Sequence, residues 1–242
     1  MPESTKPRPA LILLEPYEKI VGWIYLPLFF LGLPMLVTIA AMLLHINVLS
    51  VRVQVLLNAG LELFSFVLLA VCFHRYLGRC FRQTRSFPGR YFVGLVVGIV
   101  IYYFGTALMS FLTQLIEPGL ENINNATIED MAGANVPVML VYTILLAPLV
   151  EELLFRGLIF TSLRPRSRFW AYFISMAAFS LIHVMGYVGQ YPLLTLALCF
   201  VQYLPASFAL AWAMEYSGSI WASITVHMIA NTIAMAVMLL LP

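Results

Sequence analysis

Val136 to Phe160 reads VPVMLVYTILLAPLVEELLFRGLIF, and this stretch decides the fold. A helix needs about 20 mainly apolar residues to cross a bilayer, and this run is long enough. Yet Glu151, Glu152 and Arg156 sit in its second half, where each charge costs about 2.5–3.5 kcal/mol on insertion scales. A segment apolar enough to span, and still charged, has to hide those charges against other helices.

The rest of the chain supplies the helices. Six further stretches qualify as spans, at about 20–44, 53–74, 91–116, 168–188, 191–214 and 218–241. Of 242 residues, 62% are hydrophobic and 10% charged, with a mean hydropathy of +0.94. Soluble domains carry about 25% charged residues, so this surface is built for lipid. The fold class is all-α: a polytopic integral membrane helix bundle of about seven transmembrane helices. A first stretch divided into a surface helix and a span would make eight. The last two spans share a short link, Glu215 to Gly218, and form a tight hairpin.

The net charge of +2, with no basic run among aromatics, excludes nucleic acid as a partner. Cys72, Cys80 and Cys199 form no CxxC pair and read as free, inert thiols. The N-terminal run Ala10 to Leu14 is broken by Glu15 and Pro16, so residues 1–19 read as a cytoplasmic tail rather than a secretory signal. Lys6, Arg8 and Lys19, then Arg75, Arg79, Arg82, Arg85 and Arg90, then Arg164, Arg166 and Arg168, all fall on one side if every span crosses. The other side holds Arg52 and an acidic loop with Glu117, Glu121, Glu129 and Asp130. Basic loops stay inside, which sets the N-terminus in the cytoplasm. Within the loop at about 117–135, Thr127 to Asp130 reads as a capping box that starts a short helix, and Asn125-Ala-Thr127 is a glycosylation sequon. Gly94 and Gly98, one turn apart, suit close helix packing.

Six ionisable groups fall inside spans: Glu62, Glu151, Glu152, Arg156, His183 and His227. Intramembrane charges default to function, and five of these six lie in spans four, five and seven. Glu152 and Arg156 are four apart and share a helix face, so they can pair. Glu151 points about 100° away and has no such partner, as a general base requires. Phe179 lies one turn before His183 and can pack on its imidazole. His227 and Asn231 share a face too. They can offer two donors to one oxygen, help hold a metal, or form a polar contact between helices. At about 1.5 Å per residue, Glu151, His183 and His227 lie about 20, 22 and 15 Å from the arginine-rich side. Comparable depth on three helices implies one shared polar cavity. Glu62 has no partner legible in the sequence.

Absences narrow the chemistry. No HExxH helix is present, Asp130 is the only aspartate, the only lysines are Lys6 and Lys19, and there is no GxSxG elbow. What remains suits water activation by Glu151 and stabilisation of the resulting oxyanion. Two other classes stay open: a non-catalytic scaffold or immunity protein, and a proton-coupled transporter. The transporter would show matched repeats or broken helices, and none is visible.

EELLFRG, FSLIH and SIWASITVHMIAN closely resemble the three motifs of the CPBP family, also called Abi or CAAX protease-like. That family includes type II CAAX prenyl endopeptidases, lysostaphin resistance protein A-like proteins and bacteriocin-processing or immunity proteins. The motif positions here are Glu151, Glu152 and Arg156; Phe179 and His183; and His227 and Asn231, preceded by Ser219 and Trp221. The resemblance covers about 135–242, which divides the chain into a tail with three spans (1–134) and a catalytic membrane core (135–242). It implies an intramembrane endopeptidase acting on a membrane-embedded peptide or a lipidated protein. It further implies that Glu151 and His183 activate water, His227 and Asn231 stabilise the oxyanion, and Glu152 and Arg156 support the site. The family has been described both as metalloproteases and as glutamate-dependent. Zinc is therefore an open cofactor, with His183 and His227 as its ligands if it binds. The expected location is a bacterial plasma membrane.

Overall fold

The computed structural model describes residues 9–45 and 50–240. Lys6 and Arg8 of the basic tail lie outside the described residues. Seven helices are long and apolar enough to span: α1 Pro16–Leu43, α2 Val51–Cys72, α4 Pro88–Ile116, α6 Val136–Leu163, α7 Arg168–Met185, α8 Leu193–Ser217 and α9 Ile220–Leu240. Two more, α3 His74–Ser86 and α5 Ile123–Ala134, complete the helices among the described residues. The only β pairing among them is one isolated bridge, Val188 with Tyr191.

The first stretch does not divide. Pro27 lies inside α1, and a π-helical turn follows at Leu28–Gly32 before the helix continues. Proline lacks the N–H that an α-turn needs, so the hydrogen-bond register shifts while the span stays whole. Its start is fixed by Pro16 at the first helical position and by Glu18, whose carboxylate accepts from the Glu15 N–H at 2.7 Å.

Span α6 is the axis of the bundle. Every residue from Leu153 to Phe160 is buried. Two stretches of it, Tyr142–Leu146 and Leu153–Phe160, are π-helical, a register common at functional sites. Around it, α8 packs along α4 and α7, and α9 closes the ring. Gly94 and Gly98 permit the α4–α8 approach. A Cβ at Gly94 would come within 3.2 Å of the Ala213 carbonyl oxygen, and one at Gly98 within 3.1 Å of Ala213 and Val226 side chains. Gly218, at φ +73°, caps α8 in the left-handed region and turns the chain into α9.

Two connections differ from the sequence reading. The basic loop after span two is the amphipathic helix α3. Tyr76 and Cys80, four apart, are fully buried, while Arg75, Arg79, Arg82 and Arg85 lie at the surface side. Burial pushes the Cys80 thiol up to about 11 and holds the Tyr76 phenol well above its ordinary range. The Cys72, Cys80 and Cys199 thiols are free. In the acidic loop, α5 starts earlier than the Thr127 box. Asn122 caps it by accepting from the Asn125 N–H at 3.2 Å, and Thr127 lies mid-helix, its hydroxyl donating to the Ile123 carbonyl. An asparagine is the better cap, and the earlier start buries Ile123, Met131 and Ala132.

Helix α3 docks by polar contacts. Trp221 Nε1 donates to the Leu77 carbonyl at 3.2 Å, Ser219 donates to the Cys80 carbonyl at 3.0 Å, and Thr84 donates to Ser219 at 2.8 Å. Arg79 pairs with both Glu15 and Glu18. Nearby, Arg164 and Arg168 both pair with Glu215. These contacts gather the arginine-rich connections at one end of the bundle.

Candidate active site

Span α6 delivers the two adjacent glutamates to different surroundings. Glu152 is fully buried and so is Arg156, one turn on; the pair meets at 3.1 Å. Arg156 also donates to the Ser207 carbonyl and hydroxyl at 3.0 and 2.9 Å, and its guanidinium lies 4.4 Å from the Phe179 ring centroid. Glu152 receives two further partners from α9. The Ser223 hydroxyl reaches Oε2, and His227 Nδ1 reaches Oε1 at 3.0 Å. Every charge in this group has an opposite or polar neighbour, as burial demands.

Glu151 lies on the other side of the backbone and lines a cavity of about 470 Å³. Its Oε2 is buried without a hydrogen-bond partner, and the nearest basic atom is His227 Nε2, 4.0 Å away. An orphan buried carboxylate oxygen is costly, and this one belongs to a residue of the cavity lining. Glu151, His183, His227 and Asn231 all line that cavity; Glu152 and Arg156 stand behind it. The structure therefore brings five of the six intramembrane groups into one cluster. Glu62, the sixth, is buried in α2 and does not line the cavity.

Both imidazoles are oriented through Nδ1. In His183, Nδ1 donates to the Phe179 carbonyl at 2.8 Å, a group that can only accept. That fixes the tautomer and leaves the Nε2 lone pair free. The ring is held between Phe179, at 4.7 Å between centroids, and Tyr203, stacked at 4.2 Å. In His227, Nδ1 donates to Glu152, so Nε2 is the atom that faces Glu151. Asn231 gives one amide hydrogen to the Thr143 carbonyl at 2.8 Å, which leaves the other for the cavity.

Sequence reasoning missed Ser207, Ser223 and Tyr203. The two hydroxyls lock the buried ion pair, and Tyr203 clamps His183. Ser223 lies inside SIWASITVHMIAN, and only the helical period from Ser223 to His227 could have flagged it. Ser219 and Trp221 of the same stretch sit away from the cavity and hold α3 instead.

The cavity continues past Tyr102 and Tyr103 to Gln202, Asn122 and Asn124, and ends at exposed Gln114 and Asn125, opposite the arginine-rich end. Its lining also includes the small, exposed side chains of Ala107 and Ser110 on α4 and Ala234 on α9. Two imidazoles and a carboxylate are the right donor types for zinc. In this arrangement, no group of three or more His, Cys, Asp or Glu side chains among the described residues is placed to hold a metal ion. As placed, these side chains do not fit a resident metal.

A membrane helix bundle whose polar cavity holds a free carboxylate, two oriented imidazoles and an amide has the parts of a hydrolase. Residues 133–233, a little under half of the chain, match the family model for type II CAAX prenyl endopeptidase Rce1-like proteins. That segment is similar to the Rce1-like proteins of the CPBP family. No curated protein and no solved structure matches the chain.

Proposed function

We propose that this protein is an intramembrane endopeptidase in which Glu151 activates water. The observation that carries the reading is the orphaned Glu151 Oε2, buried at the cavity wall while the adjacent Glu152 is consumed by three partners. Glu151 takes a proton from a water that also donates to His183 Nε2, and the hydroxide adds to the peptide carbonyl carbon. The oxygen that gains charge accepts from His227 Nε2–H, with the imidazolium held by Glu152, and from the free amide hydrogen of Asn231. Glu151 then passes its proton to the departing amine nitrogen as the C–N bond breaks. Water is consumed, and an acid and an amine are released.

The substrate is a membrane-associated peptide or lipidated protein. The small residues of the cavity lining support access from the bilayer. The arginine-rich end faces the cytoplasm by the positive-inside rule, which puts the N-terminus there and the amide-rich mouth on the far side, in a bacterial plasma membrane.

The test is cleavage of membrane peptides, prenylated and not, by purified protein beside Glu151→Gln and His183→Ala, with and without a chelator. Loss of cleavage in both variants, with chelator-resistant activity in the parent, is expected. Activity that survives Glu151→Gln would move the reading to a scaffold or immunity protein whose preparation carries a contaminant. Loss on chelation alone would reassign His183 and His227 as metal ligands.

A further inference from the structure

A second hollow lies on the lipid side of the helix pair that holds His183. It is an apolar groove of about 650 Å³ between α7 and α8, lined by Phe169, Phe173, Met176, Phe200, Leu204 and Phe208. Phe169 and Phe173 are 66% and 55% exposed, so the groove opens to the bilayer. At its arginine-rich end it meets Arg168 and Trp212. The same two residues line an adjoining polar pocket of about 280 Å³, together with Arg90, Arg164 and Glu215.

The charge in that pocket does not balance. The Glu215 carboxylate accepts from Arg164 Nε, from Arg168 Nε at 3.0 Å and from the Tyr172 hydroxyl at 2.7 Å. Arg90 has no carboxylate beside it among the described residues; its guanidinium lies 5.0 Å from the Tyr216 ring centroid. Three guanidiniums against one carboxylate leave an excess of two positive charges, at the arginine-rich end of the spans. The groove itself confers little preference, because lipid tails are as apolar as its walls. Selectivity has to come from the anion.

We propose that groove and pocket together form a site for one anionic phospholipid, with an acyl chain between α7 and α8 and its phosphate on Arg90, Arg164 and Arg168. The site shares no lining residue with the catalytic cavity, which takes Phe179 and His183 from α7 and Gln202 and Tyr203 from α8. Basic pockets beside the cytoplasmic ends of membrane helices take anionic headgroups, at about 1 kcal/mol per arginine. One such increment is about a fivefold change in preference.

Trp212 borders both hollows and serves as the probe. The full chain is placed in phosphatidylcholine nanodiscs with a rising fraction of brominated phosphatidylglycerol, or of brominated phosphatidylcholine. The Trp212 signal is taken as the difference from Trp212→Phe. Half-quenching at a several-fold lower fraction of the anionic lipid is expected, and excess inorganic phosphate should leave it in place. Arg90→Gln and the exposed Arg168→Gln should each reduce the preference about fivefold. Ala177→Phe, which fills the groove, should reduce quenching by both lipids. Equal quenching by the two lipids, or an unchanged preference in both arginine variants, would overturn the site. Displacement of the lipid by inorganic phosphate would make it a free-anion pocket instead.

Discussion

At the arginine-rich end of the bundle the carboxylates of Glu15, Glu18 and Glu215 all meet guanidinium groups; in the cavity one carboxylate does not. Arg79 answers Glu15 and Glu18, and Arg164 and Arg168 answer Glu215. Deeper in, Arg156 answers Glu152. On the cavity wall, among the described residues, the fully buried Glu151 Oε2 is left without a hydrogen bond. Paired carboxylates hold helices in register. The unpaired one is costly to the fold, and the proposed catalytic role gives that cost a use.

The sharpest way to break the architectural half of this contrast is Arg156→Leu. It leaves Glu152 buried without its guanidinium, which typically costs about 3–5 kcal/mol. A large fall in thermal midpoint in detergent is expected, read by tryptophan fluorescence. A midpoint within a degree or two of the parent would mean that His227 and Ser223 suffice to hold Glu152. Next comes Arg79→Ala, which exposes the fully buried Glu18 carboxylate to the loss of its charged partner. Because the Tyr76 N–H still donates at 2.9 Å, a smaller loss of about 1–3 kcal/mol is expected. Ser219→Ala removes one hydroxyl between α3 and α9 and should cost about 0.5–1.5 kcal/mol, measured in the same assay with cleavage unchanged. The smallest effect is that of Arg75→Ala. Its 3.8 Å pair with Glu15 is 63% exposed on the arginine side, so at most about 1 kcal/mol is at stake. A chemical probe sharpens the docking of α3: Cys80, with its thiol raised to about 11 by burial, should resist alkylation at pH 8 in the folded protein. It should react once Trp221→Ala loosens the helix.

The spans were legible because a bilayer imposes one length and one composition on each helix, and the Glu152–Arg156 pair because residues four apart share a face. The clustering of Glu151, His183 and His227 followed from depth alone. What the sequence hid has physical reasons. The π-helical turns in α6 follow from tertiary packing and leave no residue signature. Helix α3 was masked by its arginines, although Tyr76 and Cys80 already carried the helical period. Asn122 competed with Thr127 for the cap of α5, and local patterns do not rank two such candidates when buried side chains downstream decide. Ser207 and Tyr203 are ordinary members of apolar helices. Only their contacts with Arg156 and His183 reveal what they do.

The most direct measurement sets the two neighbouring glutamates against each other. Glu151→Gln and Glu152→Gln are purified in parallel, and each is scored for cleavage rate and for thermal midpoint. The account predicts that Glu151→Gln loses about 10²–10⁴-fold in rate, the scale of a lost general base, with an unchanged or higher midpoint. Glu152→Gln should lose stability first. Retained cleavage in Glu151→Gln, or a collapse of its midpoint to match that of Glu152→Gln, would contradict the assignment of the unpaired carboxylate to catalysis.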